Sequence, residues 1–157
     1  MSVMKPAEFS EDRKYRYTLV REFLTGEGTA VFILLNPSTA DESSDDPTVR
    51  RCIGYTKHWG YRRLIVVNSF ALRSTDPKAL YLEKDPIGPD NDAWIMTCAK
   101  MSNVVVCGWG PHGILNHRSF DLRHLLVPFK PKCLGKTRDG EPRHPLYLRG
   151  DAPLIDL

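Results

Sequence analysis

Long apolar runs are missing from this chain of 157 residues. The longest, around Leu64 to Phe70, spans about seven positions, where a membrane-crossing helix needs roughly twenty. That excludes a helical span and a membrane partner built on one. The opening MSVMKPAEFSEDRKYR lacks the apolar stretch of a secretory leader, so a cytoplasmic location is the expectation. Paired cysteines are lacking too. Cys52, Cys98, Cys107 and Cys133 stand far apart with no C-x-x-C spacing. Each lies in or beside an apolar segment, which predicts buried free thiols rather than disulfides or a zinc site. Charge of one sign is not in strong excess, and a net +3 does not by itself announce nucleic acid. Repeats and low-complexity tracts are absent, and the length suits one core. The expected organisation is a polar tail over 1–14 and a single domain over 15–157.

What is present is a succession of short apolar runs, each ending in polar residues. YRYTLVREFL at 15–24 alternates as a half-exposed strand does. TGEG then looks like a hairpin turn into a buried strand at 29–35. Asp46 and Pro47 give a helix N-cap and first turn, with Val49, Cys52 and Ile53 on the apolar face and Gly60 as the stop. LIVVNSF at 64–70 is a second buried strand. The segment 71–92, dense in Asp-Pro and Gly-Pro signals, predicts a long functional loop, after which Asp90 caps a helix running to about Met101. NVVVCGWG is a third strand. A helix through Phe120 and Leu126, closed by Pro128, precedes a short strand at Lys132–Leu134. Strands alternating with helices predict a three-layer α/β/α sandwich with a mainly parallel central sheet.

In such a sheet, ligands bind outside the carboxyl ends of the strands. VFILLNPSTAD, at 31–41, delivers Asn36, Pro37, Ser38, Thr39 and Asp41 to that edge, and Asn68 ends the next strand. His144 opens a basic C-terminal motif. An Asn carries a donor and an acceptor on one short arm and suits the edge of an amide-containing ring. A His can donate to an oxygen that gains negative charge. Arg73, Arg143 and Arg149 are candidate phosphate contacts, with Tyr55, Phe70 and Trp109 as stacking faces. If Asn36 serves the site alone, Asn36→Ala leaves the thermal midpoint within a few degrees. A competing reading makes Asp41, Glu42, Asp45 and Asp46 hard ligands for Mg²⁺, but Asp46 is better explained as the helix cap, and no metal or other cofactor is expected. His112, His117 and His124 have no ligand-like spacing to acids or cysteines and are assigned to the surface or to helix faces.

LLNPSTAD, DDPTVRRCIGYTKHWGY, VVNSFALRSTDP, PIGPDND, CLGKTRDG and PRHPLYL closely resemble the bacterial, archaeal and phage family called domain of unknown function 1643, DUF1643, from Tyr15 to about Arg149. More distantly, LLNPS, LIVVNSF and RHPLYL resemble, in order, three motifs of the uracil-DNA glycosylase superfamily. Leu35 stands where that superfamily has a glycine, and Leu146 replaces a small serine. The resemblance implies a glycosylase-like fold in which Asn36 holds and polarises a water, Asn68 reads a pyrimidine edge and His144 steadies charge on a leaving base. The implied activity is a metal-independent N-glycosidase acting on a nucleotide or nucleic acid. The alternative is a non-catalytic module binding a nucleotide or modified base in a DNA-handling or phage-related system.

Overall fold

A computed structural model describes residues 4–157. The strands are β1 (Ala7–Phe9), β2 (Arg16–Glu22), β3 (Thr29–Leu34), β4 (Arg63–Asn68), β5 (Val104–Gly108), β6 (Lys132–Cys133) and β7 (Ile155–Asp156). The helices are α1 (Pro47–His58), α2 (Lys78–Leu82), α3 (Asn91–Met101) and α4 (Arg118–Leu126). All seven strands form one sheet in the order β1-β2-β4-β3-β5-β6-β7. The sheet is mixed. β4, β3, β5 and β6 run parallel at its centre, while the β1–β2 and β2–β4 pairings on one side and the β6–β7 pairing on the other are antiparallel. The expectation of a mainly parallel sheet therefore describes its centre only.

β3 explains the centre. All six residues of TAVFIL are buried, as a strand covered on both faces must be. Its alternation sends Ala30, Phe32 and Leu34 to a core shared with Val49, Cys52 and Tyr55 of α1. Val31, Ile33 and Leu35 enter a second core with Ile95, Cys98 and Ala99 of α3 and Leu122 and Leu126 of α4. Asp46 caps α1 as expected, accepting from the Val49 N–H at 2.9 Å. The four cysteines are free and buried, and burial pushes the Cys52 and Cys107 thiols far up and that of Cys98 to about 12.

Several local expectations need correction. Residues 7–9, read as part of a tail, form the edge strand β1. β2 is more buried than a half-exposed strand, because its two faces enter both cores, Tyr17 and Val20 in one and Leu19 in the other. β2 and β3 are not hairpin partners, since β4 lies between them. Their connection passes over the start of β4, where Phe23 N–H donates to the Arg62 carbonyl and Glu27 N–H to that of Gly60. The Asp90 side chain makes no capping bond to α3. Instead Asn91 turns its amide inward to the carbonyls of Asn68 and Ser69, at 2.8 and 3.2 Å.

Gly26 makes that passage over β4 possible. Its φ is +95°, and a Cβ would stand 2.7 Å from the Gly60 carbonyl oxygen. Gly60 shares a positive φ of +85° but has open space around it. Gly60→Ala is expected to cost about 1 kcal/mol through backbone strain alone, and Gly26→Ala about 2–3 kcal/mol because the steric clash adds to it. Denaturant unfolding of both variants checks this, and equal losses would show that the crossing is not tight.

Candidate active site

Past the end of β3 the chain turns outward at Asn36. Its Nδ2 group donates to the carbonyls of Pro37 (3.2 Å), Leu72 (3.3 Å) and Ser74 (3.0 Å), and Ser74 N–H returns a bond to the Pro37 carbonyl. This amide and the backbone bonds beside it lace together the loops after β3 and β4. Three carbonyl partners settle which end of the amide is nitrogen. Oδ1 accepts no bond among the described residues and remains an available acceptor.

His144 reaches the same region from the far end of the chain. Gly108, the last residue of β5, lets it do so: a Cβ there would stand 2.9 Å from Pro145 Cδ and 3.3 Å from the Arg143 carbonyl oxygen. Gly110 N–H bonds the Pro142 carbonyl at 2.8 Å. Glu141 anchors the segment from below, accepting from Trp109 Nε1 at 3.0 Å and from Ser119 Oγ at 2.7 Å, with the Arg123 guanidinium 3.7 Å away. His144 Nδ1 accepts from the Leu146 N–H at 3.2 Å, which places the proton of the neutral ring on Nε2. Burial pulls the imidazole down to about 4, partly opposed by the nearby Asp46 carboxylate. The ring is therefore neutral at pH 7, an acceptor at one nitrogen and a donor at the other.

A cavity of about 550 Å³ is lined by Asn36, Ser38, Thr39, Trp109, Arg143 and His144 among the expected residues. The others lie elsewhere. Pro37 is buried and serves Asn36 and Ser74 through its carbonyl. Asp41 closes a turn by accepting from Ser43 and Ser44 N–H, which hold its carboxyl below the usual range. Phe70 is fully buried in the core. Arg73 stacks on Phe9 and bonds the Arg13 carbonyl. Asn68 is 1% exposed, with neither amide atom bonded. Trp109 is 1% exposed and tied by its indole N–H, so it is a wall rather than a free stacking face. Tyr55 is buried with its hydroxyl on the Arg149 carbonyl.

Thr48, Ser74, Thr75, His112, Thr137 and Tyr147 also line the cavity without having been singled out as site residues. Ser74 and Thr75 belong to the segment read as a functional loop, so its turn signals were the available clue. His112, expected at the surface, bonds Tyr81 Oη through Nδ1 at 2.9 Å and joins α2 to the loop after β5. In the acidic loop, Glu42 pairs with Arg13, Asp45 with Arg21, and Asp46 caps α1 while accepting from Ala40 N–H. Among the described residues no three His, Cys, Asp or Glu side chains converge as a metal site requires.

Two stability outcomes follow from this geometry. Asn36→Ala removes an amide whose two N–H groups are shared among three carbonyls and is expected to cost about 1–2 kcal/mol in denaturant unfolding, so near-neutrality would show the lacing to be weak. His144 has a folded value of about 4 against an ordinary 6.5. The unfolded chain therefore binds the extra proton first as pH falls. The contribution of the neutral ring is complete above pH 6.5 and is lost progressively toward about 4. His144→Gln is expected to flatten the fall of the thermal midpoint across that window, and parallel curves would show that the ring is not held neutral.

Neither a curated protein nor a solved structure matches the chain. A family model does, described as a protein of unknown function (DUF1643) and covering residues 16–146. That span takes in β2 to β6 and every cavity-lining residue except Tyr147. By this match the chain belongs to the DUF1643 family.

Proposed function

We propose that the cavity is the active site of a metal-independent N-glycosidase that releases a base from a nucleotide or nucleic acid. The supporting observation is the pairing of two fixed, complementary groups on one cavity: the spare acceptor Oδ1 of Asn36 and the Nε2–H donor of neutral His144. A water held by its O–H on Oδ1 turns a lone pair toward the anomeric carbon. The new C–O bond forms as the C–N bond breaks, and the bonding pair moves onto the base. Nε2–H donates to a base oxygen as that charge builds, and the proton of the water passes to solvent. A neutral donor fixed in place before reaction stabilises developing charge without reorganisation. Asn68, buried away from the cavity, has no part in this reading. The parallel centre with helices on both faces supports a uracil-DNA-glycosylase-like three-layer arrangement.

The test is base release from nucleosides, nucleotides and oligonucleotides bearing uracil or modified bases, with and without EDTA. Wild type is expected to turn over regardless of EDTA, and His144→Gln to lower kcat by about 10²–10³. Because His144 stays neutral down to about 4, the rate is expected to show no limb between pH 6 and 7 from this residue. A requirement for Mg²⁺ would overturn the proposal. Ligand-induced stabilisation without product would assign the cavity to a binding module instead.

A further inference from the structure

We infer that the cavity continues into a phosphate-binding groove flanked by Arg143 and Arg149, so that its ligand bears a phosphate ester beside the sugar. This rests on the nucleotide reading of the cavity. A second depression of about 460 Å³ opens next to the first, sharing Arg143 and Tyr147 with it and running on to Arg149 and Asp151. Tyr147 belongs to both and is 76% exposed, with its ring centroid 5.6 Å from that of His144. A ligand seated against His144 therefore has a path past Tyr147.

The charges along that path favour an anion. Among the described residues the exposed Arg143 guanidinium makes no hydrogen bond or ion pair, whereas Arg13, Arg21, Arg118 and Arg123 are all engaged by carboxylates. Arg149 has only Asp151, at 3.3 Å and with both side chains mostly exposed, and such a pair in water contributes little. A phosphate can compete for it. Arg51 supports the groove from α1, donating to the Leu148 carbonyl, with its Nη1 3.7 Å from where a Cβ on Gly150 would stand. Two arginines, Arg143 and Arg149, thus border the groove against the one carboxylate of Asp151, and a guanidinium fork matches phosphate oxygens in a way a solvated lysine does not. Arg143 and His144 are consecutive, on a segment pressed against Gly108. The groups that hold phosphate and leaving base are thereby kept in one register.

A free nucleotide and a strand both carry such a phosphate, and binding assays separate the two. Wild type, Arg143→Ala and the Arg143→Ala/Arg149→Ala double variant are titrated with nucleosides, their 3′- and 5′-monophosphates, and short single strands. Monophosphates are expected to bind wild type about tenfold or more tighter than the matching nucleosides, with the advantage shrinking as salt rises and vanishing in the double variant. A further gain for strands over monophosphates identifies a strand as the source, and equal affinity identifies the free nucleotide. Equal affinity for nucleoside and monophosphate, a phosphate advantage that survives the double substitution, or no binding by any phosphorylated ligand would overturn the groove. Base release from nucleosides without a phosphate preference leaves the glycosidase reading standing and the groove refuted. Phosphate-dependent binding without base release does the reverse.

Discussion

The candidate site depends on the bare backbone at the end of β5. Residues 143–145 lie against Gly108 at a separation that leaves no room for a Cβ, and this contact sets His144 across a cavity from Asn36. A side chain at 108 would push against the C-terminal segment and would also crowd Leu34 on the neighbouring strand. Gly108 thus serves both fold and site: it pairs with Leu34 in the sheet, and its missing side chain admits residues 143–145 to the sheet edge.

Below that contact, Glu141 concentrates the energetic risk. A buried carboxylate is tolerable only when its lone pairs are used, and here an indole N–H, a serine hydroxyl and a nearby guanidinium use them. Removing the carboxylate would strand Trp109 and Ser119 and release the loop that leads to Arg143. Trp109 consequently belongs to the support of the site rather than to its reactive face, despite lying at a strand end where an aromatic invites a stacking role.

The central strands were legible because a strand buried on both faces is apolar along its whole length, and 29–34, 64–68 and 104–108 all have that character. The Asp46-Pro47 cap was legible because it is local chemistry. β1 and β7, three and two residues long, carry no periodicity to detect. The 25–28 turn resembled a hairpin because the insertion of β4 between β2 and β3 is a tertiary event that no short window contains. In the site, Asn36 stood out as a polar residue ending an apolar run and His144 as the opening of a basic C-terminal motif. Asn68, which ends the next apolar run, and Phe70, read as a stacking face, are both buried and do not line the cavity, since the end of a strand specifies an edge and not the exposure of a side chain there. Thr137 and Tyr147 were invisible because only the fold of the C-terminal segment places them there.

The placement of β3 between β4 and β5 also bears on how the chain reaches its native state. Both partners of β3, buried along its whole length, lie downstream, and so does the inner partner of β2. Growing from its N-terminus, the chain has no sheet to offer TAVFIL until residues 63–68 have emerged, and its second edge stays open until 104–108 follow. Closing such long loops costs entropy before any contact repays it, which slows collapse and lengthens the exposure of unpaired strand edges. Gly26 and Gly28 before the strand, and Asn36-Pro37 after it, interrupt the apolar run on both sides. Breakers flanking an apolar strand limit strand-to-strand association while its edges are unpaired, and this strand order prolongs that interval.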